Sequence, residues 1–136
     1  RGEALQLPNF GMETVHHVHA SDVAQMIARS IANPDAALGE AFNAVSPAAI
    51  TLRGYAEAIY DWFGQSPNLD FAPFDDWAKA QDPDEAKATG DQIRRSPCHS
   101  IEKGRDLLGY APDYSSVQAV KESVTWLIED GQVERA

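Results

Sequence analysis

The residues best suited to chemistry fall in three places. His16, His17 and His19 stand close together, with Asp22 just beyond them. Arg94 and Arg95 form the only adjacent basic pair, and Cys98 is the only cysteine. Three imidazoles beside a carboxylate raise the question of a metal. Strand geometry opposes it, because alternate side chains point to opposite faces. His17 and His19 then share a face with Val15, while His16 points the other way with Val18. No cysteine is near enough to complete a zinc shell, so no metal is expected. The competing role for His19 is a hydrogen bond at a helix start, with Asp22 as the cap. Arg94 and Arg95 suit a bidentate grip on phosphate or carboxylate. They equally suit pairing with the acidic run Asp82–Glu85 or with Asp91. Cys98 reads as a small side chain without chemistry of its own.

Several signatures are missing. No two glycines are separated by a single residue, so the dinucleotide fingerprint G-x-G-x-x-G is not in this sequence. Gly104 and Gly109 have phosphate-loop spacing, but Tyr110 stands where that loop needs Lys. There is no G-x-S-x-G elbow for a serine nucleophile.

The elements that must position these residues follow from periodicity. Glu13–His19 reads as a strand. Asp22 with Gln25 fits a capping box, and Val23, Met26, Ile27 and Ile31 continue at helical spacing until Asn33-Pro34. Ala41–Val45 reads as a short strand. Thr51 caps a helix whose apolar face is Leu52, Tyr55, Ala56, Ile59, Trp62 and Phe63, ending at Gly64. Leu69–Phe74 is a further strand. Residues 66–97 hold four prolines and an acidic patch, and read as an excursion with short helices anchored by Phe71, Phe74 and Trp77. Ser100 opens a helix that stops at Gly109. Ser115 and Gln118 form a second capping box, before a helix facing inward with Val117, Val120, Val124, Leu127 and Ile128. Trp62 and Trp126 are expected in the core. The class is mixed α/β, with about four helices and three or four short strands.

Composition narrows the partners. The 136 residues carry 11 Lys or Arg against 21 Asp or Glu, a formal charge of −10. That disfavours nucleic acid and anionic lipid, which need basic surfaces. No apolar stretch approaches the roughly 18 residues that span a bilayer. Without a signal-like apolar run, the expected compartment is the cytoplasm. The length suits a single lobe over residues 1–136.

Three segments, taken in order, resemble one family. His17-Val18-His19-Ala20-Ser21-Asp22-Val23-Ala24 is similar to the H-V-x-D-x-A element of the extended short-chain dehydrogenases/reductases, the NAD-dependent epimerase/dehydratase family. Ala41-Phe42-Asn43-Ala44-Val45-Ser46, then Thr51-Leu52, resembles that family's strand and following helix. Ser100 to Pro112, with Lys103, Leu108-Gly109-Tyr110 and Pro112, looks like its S-x-x-K-A-x-x-x-L-G-W/Y-x-P element. The closing helix with Trp126-Leu127 is also similar.

The resemblance implies an oxidoreductase or isomerase with a Rossmann domain that binds NAD or NADP and carries a catalytic Tyr-x-x-x-Lys pair. This chain has neither feature: four residues after Tyr55, Tyr60, Tyr110 and Tyr114 come Ile59, Gly64, Tyr114 and Gln118. It is therefore expected to be the substrate-binding C-terminal part of a longer enzyme, inactive alone and binding no cofactor. Its partners would be the missing Rossmann domain, a small-molecule substrate and a second copy in a homo-oligomer. Substrate contacts are expected from the Pro8–Gly11 turn with Phe10, from His16 and His17, and from Arg94 and Arg95. Sugar-nucleotide epimerases of the family hold a diphosphate with an Arg just before the H-V element, where this chain has Val15 and His16. A nucleotide sugar would then depend on Arg94 or Arg95, and a reductase or dehydrogenase acting on an apolar ketone or alcohol fits as well. The alternative is a stand-alone acidic module for protein interaction or self-association, with no enzymatic role.

Overall fold

A computed structural model of the chain describes residues 3–133. In chain order it contains β1 (Leu5–Pro8), a 3-10 turn (Asn9–Gly11), β2 (Thr14–Val15), α1 (Ala20–Ala32) and α2 (Pro34–Ala37). There follow β3 (Ile50–Thr51), α3 (Leu52–Trp62), β4 (Leu69–Ala72), α4 (Phe74–Lys79), α5 (Pro83–Ile93), α6 (Glu102–Leu108) and α7 (Ser116–Glu129). The class is mixed α/β, mostly helical with a few short strands. No described helix is long and apolar enough to cross a membrane. The described chain divides into two compact units, one holding residues 3–15 with Ile50–Pro97, the other His16–Ala49 with residues 98–133.

In the first unit β1 and β4 run parallel, in register from Leu5 opposite Leu69 to Pro8 opposite Ala72. β2 and β3 are antiparallel, with Thr14 opposite Thr51 and Val15 opposite Ile50. The strand expected over Glu13–His19 is thus only two residues long, because His16 onward is held by side chains instead of a ladder. Thr51 caps α3 as expected: its Oγ1 accepts the Gly54 N–H at 3.0 Å. The proline-rich excursion is ordered by α4 and α5. Trp77 Nε1 donates to Gln6 O at 3.1 Å, and Asp82 caps α5 by accepting from Asp84 and Glu85. Val15, Ala56, Ala86 and Ile93 are its buried apolar residues.

The second unit packs Met26, Leu108 and Tyr110 at its centre, with Phe42, Ala44 and Ile101 around them. Tyr110 is fully buried and donates its hydroxyl to Val45 O at 3.0 Å. Ala41–Val45 is not a strand here. Phe42 and Ala44 enter the core, and Asn43 donates to Ser100 O, so side chains do the anchoring. Asp22 also departs from expectation. His19 is the N-cap of α1, and Asp22 sits inside the first turn, fully buried. Its carboxylate accepts the Asp113 N–H at 2.8 Å and the Tyr114 N–H at 3.3 Å. Gln25, expected as its capping partner, instead exchanges hydrogen bonds with the Ala111 backbone. The Ser115–Gln118 capping box forms as read, and Gly109 ends α6 at φ +68°. Trp126, expected in the core, is 57% exposed. α7 buries the small side chains of Ser116 and Ala119 instead.

Candidate functional site

The first unit carries a backbone feature that ordinary packing does not demand. Asn9, Phe10 and Gly11 have φ of 48°, 66° and 65° in succession. Glycine tolerates this region and Asn visits it, but for Phe it costs on the order of 1 kcal/mol or more. The strain holds the Phe10 ring out in solvent, 71% exposed. Asn9 locks the turn from both ends of its amide. Nδ2 donates to Glu13 Oε1 at 2.7 Å, and Oδ1 accepts the Phe74 N–H at 2.9 Å. Gly11 is forced by space as well, since a Cβ there would lie 3.0 Å from the Arg53 backbone nitrogen.

The Phe10 ring stands 5.9 Å from that of Phe71, tilted by 35°. The Arg53 guanidinium lies 5.8 Å from the centre of the Phe71 ring, its Nε paired with Glu57 at 2.8 Å. Phe10, Phe71, Asn9, Ala72 and Pro73 line a cavity of about 240 Å³. Its walls suit a planar or apolar group. A second cavity, about 440 Å³, shares Asn9 and adds Glu13, Phe74, Asp75 and Arg94. Glu13 Oε2 is buried without a hydrogen-bond partner among the described residues.

Arg94 is exposed and reaches Asp91 at 3.6 Å, while Arg95 is exposed. Lys87 binds Asp91 at 2.6 Å and holds its carboxyl below the usual range, with Arg94 and Arg95 adding to that pull. The turn bearing both arginines is fixed to β2 through Ser96. The Ser96 hydroxyl oxygen accepts the Thr14 N–H at 2.9 Å, and Thr14 Oγ1 donates to Pro97 O at 2.9 Å. Within this unit Phe10 and Arg94 therefore line neighbouring cavities joined by Asn9.

His16 and His17 belong to the second unit. His16 Nε2 donates to Ser46 O at 2.9 Å, and its Nδ1 accepts the His99 N–H at 3.1 Å. Both ring nitrogens serve the backbone, and the His99 ring stacks 6.1 Å away. His17 is half-buried, and burial, with His16 beside it, lowers its pKa below the usual imidazole value. Among the described residues, no three His, Cys, Asp or Glu side chains are grouped to hold a metal ion. Cys98 is exposed.

Sequence reasoning placed Asn9 in the Pro8–Gly11 turn and Phe71 among the anchors of the excursion, but passed over Glu13 and Arg53. Asn9 has a local signal, as a residue tolerant of positive φ directly before Phe-Gly. Arg53 meets Phe71 only through a contact across the fold. Comparison with known proteins returns no family model, no curated protein and no solved structure that matches the chain.

Proposed function

We propose that the chain is the substrate-binding part of an NAD(P)-dependent epimerase, dehydratase or reductase of the extended short-chain type. One observation carries this reading: the three segments that resemble the family converge on one core. Asp22 of the first segment binds the backbone just beyond the third. Tyr110 of the third donates to Val45 of the second. Lys103 of the third donates to Ala41 O at 3.1 Å. Residues that carry the resemblance are thus among the ones that hold the unit together, which supports their being a connected set.

The strained Phe10 and its Phe71 neighbour serve as the wall for an apolar or planar part of the substrate. Arg94 and Arg95, exposed on a fixed turn, supply charge for a phosphate or carboxylate. The nicotinamide, bound by a Rossmann domain outside this sequence, supplies the hydride chemistry. This chain binds and orients. The unladdered Ala41–Ser46 segment and the exposed Ile31 and Leu38 side chains suit contact with such a domain.

Titration calorimetry of the 136-residue chain with NAD and NADP tests the assignment. No heat of binding at millimolar cofactor is expected. Micromolar affinity for either cofactor would overturn it.

A further inference from the structure

Ser21, His19 and Glu122 form a relay that the capping of α1 does not require. The Ser21 backbone N–H lies 3.2 Å from His19 Nδ1 and can only donate. Nδ1 therefore presents its lone pair, and the proton of the neutral ring sits on Nε2. The Ser21 hydroxyl lies 2.6 Å from the same Nδ1, so it too must donate. Nε2 in turn lies 3.1 Å from Glu122 Oε1. The Tyr114 ring stacks 3.9 Å from the imidazole and holds its plane. An N-cap needs only the backbone contact. It calls for neither the short hydroxyl contact nor a carboxylate on the far nitrogen.

The order is hydroxyl, imidazole, carboxylate. A base within hydrogen-bond reach of a hydroxyl, oriented by a third group, is the arrangement that activates a serine. Ser21 is exposed, and it sits in the first turn of a 13-residue helix whose N-terminal end favours developing negative charge. Glu122 also borders an open groove along α7, with Trp126 one turn further on the same face.

We propose that Ser21 is an acyl-accepting nucleophile toward small uncharged esters, with His19 as its base and Glu122 as a positioning residue. Ser21 Oγ bonds to the acyl carbon while its proton passes to His19 Nδ1. The ester C–O bond then breaks, and the alcohol leaves with that proton. Water, deprotonated by the same nitrogen, releases the acid and restores the hydroxyl. The activity is independent of any nicotinamide chemistry.

The test treats the chain with a fluorophosphonate probe and with p-nitrophenyl acetate, mapping adducts by peptide mass spectrometry. Ser21 is expected to label at least about tenfold faster than the exposed Ser66 and Ser100 of the same molecule, in keeping with general-base assistance. His19→Asn keeps a good N-cap but lacks the base. It should lower Ser21 labelling about tenfold or more with the helical circular dichroism unchanged, and Glu122→Gln should lower it several-fold. Labelling of Ser21 no faster than of Ser66 and Ser100 overturns the proposal, as does unchanged labelling in folded His19→Asn.

Discussion

Asp22 holds the second unit by charge-assisted hydrogen bonds to two backbone N–H groups about 90 residues away in sequence. Replacing it by Ala leaves both donors without their carboxylate inside the fold. Asp22→Ala should therefore cost about 3 kcal/mol, read as a lower urea midpoint at unchanged slope. A loss below about 1 kcal/mol would mean that water replaces the carboxylate at no cost. The sequence marked Asp22 as important but gave it the wrong task. A capping pattern is visible over four residues, whereas a contact to residues 113 and 114 has no local trace. Tyr110 gives the pH dependence. Burial, with Asp22 nearby, pushes its phenol up from 10.0 to about 12. The folded state thus keeps the proton that the unfolded state gives up. This contribution is fully present below pH 10 and is lost between pH 10 and about 12, by roughly 3 kcal/mol. Tyr110→Phe should flatten that alkaline limb in urea titrations taken at successive pH values. His17 acts at the other end. Its lowered pKa means that the unfolded state takes a proton first, so stability falls as pH drops below about 6.5.

At the scale of elements, what was legible was local. The caps by Thr51 and Ser115 and the stop at Gly109 follow from side-chain chemistry within three or four residues, and all form. Ser115→Ala removes the half of the box in which Ser115 Oγ accepts the Gln118 N–H, while the Ser115 N–H still donates to the Gln118 side chain, and should lower stability by about 1 kcal/mol on thermal unfolding. Helix faces were legible only in part. The periodicity of α1 marks Ile27 and Ile31 as apolar, yet both are exposed, because only the Met26 side of the helix meets α6. The glycines inside helices make a sharper comparison. A Cβ at Gly90 would lie 2.8 Å from Phe74 Cζ, and one at Gly104 would lie 2.8 Å from Met26 Cε. The distances match, but the neighbours differ. A thioether end swings aside at little cost, while a packed ring moves as a body. Alanine also gains up to about 1 kcal/mol of helix propensity over glycine at either site. Gly104→Ala should come out close to neutral. Gly90→Ala should cost about 1–2 kcal/mol, and equal unfolding midpoints for the two variants would refute the distinction.

At the scale of the whole chain, the sequence supports the mixed class but marks the two compact units at one boundary only. The chain passes between them after Val15, after Ala49 and after Pro97, and of these points only Pro97, the end of the proline-rich excursion, shows a shift in composition. The first unit is made by pairings that span the intervening residues: β1 with β4 and β2 with β3. Residues 50–97 alone lack both partner strands, so they should remain unfolded by amide chemical-shift dispersion. The register supplies a remedy. Val15 and Ile50 lie directly opposite each other in an antiparallel pair, so the chain leaving one strand is already beside the chain entering the other. A two-residue Asn-Gly turn has the twist to close such a pair. Joining residues 3–15 to residues 50–97 through Asn-Gly should therefore give a chain that unfolds cooperatively, with the marginal stability expected of about 60 residues. Its buried set of Val15, Ala56, Ala86 and Ile93 is small, so a urea midpoint well below that of the full chain is anticipated. A featureless amide spectrum for this shortened chain, obtained while the full chain is folded, would mean that the first unit does not stand on its own strands and core.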